Sequence, residues 1–306
     1  MDQSLLAYEA TLPLSALALS CALVAFWEAV APRRPAAAPL RARWASNLGV
    51  WLLDGLLVRW TFPTLGVAFA LLAAERGWGL FHLLGVPAAL AVPVSILALD
   101  LQRYAEHWLF HHIPVLWRFH RVHHTDTGFD FTLGLRFHPV EALITAAGNL
   151  AIVAALGVPP LAALGYQVLS LASSIFSHAN VRWWGPGETL VRRALVTPDM
   201  HRVHHSAAAR ETDSNLGNLF PWWDRLFGTY VAEPAAGHEQ MVIGLERFRH
   251  ASDLTLPRML VNPFVPESRR GERFDAAARG DQATGRGVMP DTAVRRRAAR
   301  SRKRSR

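Results

Sequence analysis

Residues 100–124 read DLQRYAEHWLFHHIPVLWRFHRVHH and decide how the rest of the chain is interpreted. Six histidines fall in this stretch, at positions 107, 111, 112, 120, 123 and 124. An apolar run from Val86 leads into it, and the pattern returns downstream as His-Arg-Val-His-His at 201–205. The two segments therefore predict one histidine-rich site at the end of a long apolar helix.

Apolar residues occur in blocks of about membrane-spanning length. The chain has 306 residues, of which 51% are hydrophobic. The blocks are residues 12–27, 48–74, 86–112, 142–158 and 161–176. We therefore expect an all-α, multi-pass helical membrane protein rather than one or two soluble domains. The single cysteine, Cys21, excludes a disulfide framework and a thiolate metal site.

Arginines predict the orientation of these helices. The first block lacks the basic start of a signal peptide, so we expect a retained transmembrane helix. Four arginines follow it within residues 32–43, a loop that the positive-inside rule places in the cytoplasm. The histidine segments then fall on the same side of the membrane. We therefore expect an integral membrane protein whose histidine-rich helical cap lies on the cytoplasmic face.

One of the later blocks is interrupted, and two others form a pair. Asp54, Arg59 and Pro63 interrupt residues 48–74. We expect the first half to lie at the interface or inside the bundle, because charges facing lipid are costly, and the crossing helix to start at Trp60. The two blocks at 142–158 and 161–176 read as a helical hairpin that enters the membrane and returns.

Helical spacing places the histidines in groups. His107 and His111 are four residues apart and so lie on one helix face, about 5–6 Å from each other. Tyr104 and Asp100 extend that face backward, where a carboxylate could orient a ligand histidine. Pro114 ends the helix, and the following helix should carry the next triplet. The two HxxHH triplets are His120, His123 and His124, and His201, His204 and His205.

Eight histidines exceed what one tetrahedral metal ion takes. They suit two ions with about four nitrogen ligands each, since imidazole is a common ligand of iron, zinc and copper. His178 is a ninth candidate ligand, at the end of the hairpin. His112 is an alternative to His111, and His138 is either a ligand or a structural cap.

These residues resemble a known family. The order HxxxH, HxxHH, HxxHH, with WRFHRVHH, RFHPVE and NLGN…WWDRLFGT, is similar to the fatty acid hydroxylase / sterol desaturase superfamily of membrane di-iron enzymes. The resemblance covers roughly residues 47–230. RFHPVE is also similar to the branch that contains bacterial sterol desaturase-like proteins and alkylglycerol monooxygenase.

The resemblance implies two iron ions (Fe2+/Fe3+), with zinc as a possible substitute, and an enzyme that hydroxylates a C–H bond of a fatty acyl, sterol-like or ether lipid. Its partners would be a lipid from the bilayer, O2 and an external electron donor: a reductase, ferredoxin or cytochrome. Carried onto this chain, its metal ligands are His107, His111, His120, His123, His124, His201, His204 and His205, with His178 as a further candidate.

The resemblance also divides the chain. Residues 1–45 form an N-terminal transmembrane helix with its basic loop, and residues 46–264 form the fatty acid hydroxylase-like catalytic domain. Residues 265–306 form a basic tail, which we expect to be disordered. Eight of its last twelve residues are basic; because the tail follows a membrane domain, we expect no nucleic-acid partner.

Two alternatives stay open on the sequence, and a third is ruled out. A lipid desaturase would use the same site as a hydroxylase. A non-enzymatic metal-binding or metal-transport protein would place histidines along a pore, whereas here they cluster at helix ends. An intramembrane zinc protease would need HExxH, which the sequence lacks.

Overall fold

The computed structural model of the chain describes residues 3–37, 40–183 and 186–266. Its α-helices are α1 (Gln3–Val30), α2 (Leu40–Thr61), α3 (Gly66–Glu75), α4 (Leu80–Leu83), α5 (Ala88–His112), α6 (Pro114–His124), α7 (Pro139–Leu156), α8 (Pro160–Ser177), α9 (Gly187–Val191), α10 (Pro198–His204), α11 (Ala209–Thr212), α12 (Trp222–Phe227), α13 (Gly237–Gln240) and α14 (Leu256–Val261). Short 3-10 helices span Phe131–Leu135, Ala251–Leu254 and Asn262–Phe264.

Within the described residues, five stretches are long and apolar enough to cross a membrane. They are Ser4–Val30, Leu40–Leu83, Ala88–His112, Pro139–Leu156 and Pro160–Ser177. They coincide with the five apolar blocks of the sequence. The prediction of an all-α, multi-pass membrane protein is therefore confirmed.

The second apolar block is built differently from the prediction. α2 runs without interruption to Thr61, and after Pro63 the chain starts the ten-residue α3 at Gly66. The expected crossing helix from Trp60 is therefore wrong, because the backbone turns at Gly66 with a φ of +54°. The Glu9 carboxylate of α1 accepts the Val67 amide at 2.7 Å and satisfies the free N-terminus of α3.

The predicted basic loop is also shorter than expected, since α2 already begins at Leu40. Arg43 is thus helical and fully buried. Its Nε lies 2.6 Å from Asp126 Oδ1 and its Nη1 lies 2.8 Å from Asp130 Oδ2. Asn47, one turn later, donates to Thr132 at 3.0 Å. These bonds tie α2 to the loop that follows α6.

α1 packs along α8, and a buried apolar cluster that includes Leu17, Val24 and Ile175 fills the space beside them. At the end of α1, the Glu28 carboxylate accepts the amides of Phe131 and Asn180 at 2.9 and 2.8 Å. α1 is therefore joined to the segments on either side of the hairpin. The predicted basic tail lies outside the described residues from position 267 onward.

The Arg43 ion pairs predict a measurable stability difference. Arg43→Met leaves the Asp126 carboxylate buried without its main cation, which costs about 3–5 kcal/mol. The free energy of unfolding, measured by denaturant titration in detergent micelles, should fall by that amount. Arg41→Met is the matched control, because Arg41 is exposed on the same helix, and it should change the free energy by less than about 0.5 kcal/mol.

Candidate metal centre

Four helices present the predicted ligands. The second half of α5 carries His107 and His111, and α6 carries the first triplet. His178 ends α8, and the second triplet closes α10. Both triplet helices begin with a proline in their first turn, where the missing amide costs nothing. The Thr197 side chain caps α10 by accepting the Met200 amide.

All nine predicted histidines come together in two groups. The five-histidine cluster contains His107, His111, His120, His124 and His204, and the four-histidine cluster contains His123, His178, His201 and His205. Within each cluster, one nitrogen of each ring lies within 4.8 Å of the others. Each cluster therefore offers enough neutral nitrogen donors for one metal ion.

Each triplet is divided between the two clusters. Successive residues on an α-helix are rotated by about 100°. His123 and His124 therefore lean to opposite sides of His120, so that His120 and His124 join one cluster and His123 joins the other. In α10 the division is reversed, with His204 in the five-histidine cluster. The two clusters are consequently neighbours that share both helices.

Main-chain carbonyls fix the tautomers in the four-histidine cluster. His178 Nδ1 lies 2.7 Å from the Ser174 oxygen, and His123 Nδ1 lies 3.0 Å from the Arg136 oxygen. A carbonyl oxygen can only accept, so both Nδ1 atoms carry the proton and both neutral rings keep a lone pair on Nε2. Those two Nε2 atoms are 3.2 Å apart.

The five-histidine cluster repeats this arrangement. His107 Nδ1 lies 2.8 Å from the Leu216 oxygen, and His120 Nδ1 lies 2.7 Å from Glu141 Oε1. Their Nε2 atoms face each other at 3.0 Å. His111 Nδ1 lies 3.1 Å from Asp213, and His204 Nδ1 lies 2.8 Å from the Ser214 oxygen.

The rings are held neutral by burial. Burial lowers the pKa of His123 and His124 well below the ordinary histidine value, and neighbouring histidines lower it further. Burial likewise lowers the pKa of His120 to about 3 and that of His178 to about 4. The lone pairs of two neutral Nε2 atoms about 3 Å apart repel each other unless a cation lies between them. The nitrogen atoms of each cluster therefore fit the coordination of one metal ion.

Unpaired nitrogens support the same conclusion. His204 Nε2 and both nitrogens of His205 are buried without a hydrogen-bond partner among the described residues. A buried polar atom with no partner is costly, so native proteins rarely keep one without a reason. Metal coordination would satisfy these atoms.

Asp100 and Tyr104 do not contact the histidines as the sequence suggested. Asp100 lies seven residues, or about 10 Å, before His107 along α5. Its carboxylate accepts the amides of Leu219 and Phe220 and the indole N–H of Trp223. The Tyr104 hydroxyl bonds to Thr229, and its ring stacks on Phe227. Both residues hold the loop around α12 against α5 instead.

That loop contains the NLGN…WWD motif. Asp224 accepts the amides of Leu216 and Gly217 at 2.7 and 2.9 Å, and so positions the carbonyl that holds His107. A Cβ at Gly217 would lie 2.8 Å from Asp224 Oδ2, which explains the glycine. Asn215 adopts a positive φ of 52° and donates to the Met200 and Val231 oxygens. The motif therefore braces both α5 and α10.

The two alternative histidines lie outside the clusters. His112 is exposed and stacks on Trp108, with its Nδ1 2.8 Å from the Trp108 oxygen. His138 caps α7 by accepting the Val140 amide, and its Nε2 bonds to the Leu260 oxygen. Both nitrogens of His138 are thereby occupied, as expected of a structural cap.

Sequence reasoning missed the groups that orient the rings. Glu141 and Asp213 bond directly to histidines, and the carbonyls of Arg136, Ser174 and Leu216 do the same. RFHPVE and NLGN were recognised as motifs and contain Arg136, Glu141 and Leu216, so they were the available signal. The carbonyl contacts themselves depend on tertiary structure and carry no side-chain signature.

A small cavity of about 30 Å³ touches both clusters. A larger cavity of about 310 Å³ lies beside it, lined by residues of α2, α5, α7 and α8. Five residues line both cavities: Arg103, Phe137, Glu141, Ser174 and Asn218. The larger cavity, which we call the helix cavity, thus lies among the membrane helices and adjoins the histidines.

Comparison with known proteins gives a consistent result. The fatty acid hydroxylase family matches residues 92–229. The chain is 29% identical over 159 residues to alkylglycerol monooxygenase of Danio rerio, a match that covers 51% of this chain and 34% of that protein. It is 30% identical over 149 residues to ornithine lipid hydroxylase of Rhizobium tropici, covering 48% of this chain and 44% of that protein.

A third relative is cholesterol 25-hydroxylase of Rattus norvegicus, 28% identical over 146 residues, with 47% of each chain covered. No solved structure matches the chain. The matches span between about a third and a half of the length of these relatives. The family resemblance predicted from the histidine motifs is confirmed over residues 92–229, where this integral membrane protein matches the fatty acid hydroxylase family.

Proposed function

We propose that this protein is a di-iron oxygenase that hydroxylates a C–H bond of a membrane lipid, with O2 and electrons from an external donor. The observation that carries the proposal is the pair of short Nε2–Nε2 contacts, His107 with His120 and His123 with His178. In each pair the other ring nitrogen is hydrogen-bonded to an oxygen, so the facing atoms are free for a metal.

The nine imidazoles suit iron, although zinc accepts the same donors. Two iron ions bound there would supply the redox chemistry that O2-dependent oxidation of an unactivated C–H bond requires. The protein residues hold the ions in a buried site and fix the tautomer of each ligand. The helix cavity would admit the lipid from between the membrane helices, so that its chain reaches the clusters past Arg103 and Glu141.

The relatives favour hydroxylation over desaturation. All three are named as hydroxylases or monooxygenases, and their names specify alkylglycerol, ornithine lipid and cholesterol. We infer that the substrate is likewise a membrane lipid. The arginines within residues 33–43 support a cytoplasmic location for the histidine clusters by the positive-inside rule, and a reductase, ferredoxin or cytochrome could deliver electrons there.

Metal content tests the two-ion assignment. The purified protein, reconstituted with ferrous iron, should contain about two ions per chain by plasma mass spectrometry. His201→Ala/His205→Ala removes two donors from the four-histidine cluster alone, so about one ion should remain. His112→Ala, outside both clusters, should retain about two.

The variants are compared only where they elute as the wild type does from a size-exclusion column. Wild-type protein without bound metal, or full loading of the double variant, would contradict the assignment of ligands. Because zinc fits the same nitrogens, both metals are measured in every sample.

Oxygen labelling tests the reaction. Cells that express the protein under 18O2 should contain a lipid with one added 18O atom, because a monooxygenase inserts one atom of O2. His124→Ala should abolish this product, while His112→Ala should leave it within about twofold. A lipid that has only lost two hydrogens would instead indicate a desaturase, and the lack of any O2-dependent change would contradict both activities.

A further inference from the structure

The helix cavity contains oxygens that no protein group satisfies. Asp54 Oδ1, Glu141 Oε2 and Asn149 Oδ1 are buried and have no hydrogen-bond partner among the described residues. All three residues line the cavity. Asp54 is 7% exposed and Glu141 is 3% exposed, so both side chains are largely shielded from bulk solvent. Such acceptors are costly in a protein interior unless a ligand donates to them.

Neighbouring polar groups show a different pattern. Glu106 on α5 accepts from Gln102 at 2.7 Å, from Arg103 at 3.2 Å and from the Thr145 hydroxyl at 2.5 Å. Both oxygens of Glu106 therefore have protein donors. Asp54 Oδ1, Glu141 Oε2 and Asn149 Oδ1 have none among the described residues, although their residues line the helix cavity.

The rest of the cavity suits a hydrocarbon chain. Its wall includes Trp51, Val58, Phe137 and Leu171, and its volume of about 310 Å³ falls within the range of small-molecule sites. An apolar wall with a few convergent polar atoms is typical of a site that binds an amphiphile and fixes its orientation.

We propose that Asp54 and Asn149 bind hydroxyl groups of the lipid substrate, so that the substrate class is a lipid with free hydroxyls close to its oxidised chain. This inference rests on the proposed function. A hydroxyl is neutral and donates a hydrogen bond, which the unpartnered oxygens at the cavity wall accept.

Glu141 links this recognition to the metal centre. Its Oε1 bonds to His120 Nδ1 at 2.7 Å, while its Oε2 is among the unpartnered atoms. A hydroxyl that donates to Oε2 would therefore lie one side chain away from the five-histidine cluster. The position of the polar group would then determine which carbon of the attached chain approaches the metals.

Lipid binding tests the proposal without turnover. The probes are 1-O-hexadecylglycerol, which has two free hydroxyls, and its 2,3-di-O-methyl ether, which has none. Equilibrium binding to iron-loaded protein is measured without O2 or reductant. Wild type should bind the hydroxyl lipid about tenfold more tightly, because an unpaired buried acceptor weakens binding by about that factor.

Asp54→Leu should reduce this preference to about threefold or less, because the leucine side chain has a volume similar to that of aspartate but neither of its oxygens. Asp54→Asn keeps one oxygen and should retain part of the preference, as should Asn149→Leu, which leaves Asp54 in place. Arg59→Leu is the matched control: Arg59 is exposed on the same helix and bonds to the Pro63 oxygen. It should leave the preference unchanged.

Equal binding of the two probes by wild type would overturn the proposal, as would an undiminished preference in both Asp54→Asn and Asn149→Leu. These two variants decide the question if Asp54→Leu does not fold. Either result leaves the hydroxylase proposal intact, because 18O incorporation is judged separately. Conversely, a tenfold preference without 18O incorporation would support the hydroxyl site and count against the oxygenase.

Discussion

Oxygen atoms from separate parts of the chain hold the buried imidazoles by accepting their Nδ1 protons. The carbonyl oxygens of Arg136, Ser174, Ser214 and Leu216 hold His123, His178, His204 and His107 in this way. Since each of these rings then has its lone pair on Nε2, one hydrogen bond sets both the orientation of the ring and its ligand atom. The remaining structure must keep these segments in register around the rings.

Buried carboxylates hold many of these segments in place. Asp224 fixes the loop whose carbonyl holds His107, and Asp100 joins the same loop to α5. Asp126 and Arg43 tie α2 to the segment after α6. Each carboxylate accepts several donors in the interior, where an unpaired charge would be costly. The cap over the histidines is thus positioned by polar contacts together with a small buried apolar cluster of Phe129, Leu133, Met241 and Ile243.

The sequence predicted which residues meet but not how they are oriented. Spacing on one helix is local, so the HxxxH and HxxHH patterns identified eight of the nine histidines that the structure brings together, and the position of His178 at the end of the hairpin suggested the ninth. The division of each triplet between two clusters depends on where α10 docks, which periodicity does not contain. Asp100 was predicted to orient a ligand histidine because it shares a helix face with His107. Its donors come from Tyr166 and from residues 219–223, which lie 66 or more positions later, and no local rule predicts them.

The same distinction separates two kinds of buried polar group among the membrane helices. Glu106, Arg103 and Thr145 satisfy one another, and in a nonpolar environment such a network stabilises helix association. Asp54 and Asn149 keep free oxygens next to a cavity, which is a loss of stability unless a ligand supplies the donors. Natural sequences keep such losses mainly where function requires them. The cavity wall and the histidine clusters therefore have the same character, because each contains buried atoms that have no hydrogen-bond partner among the described residues.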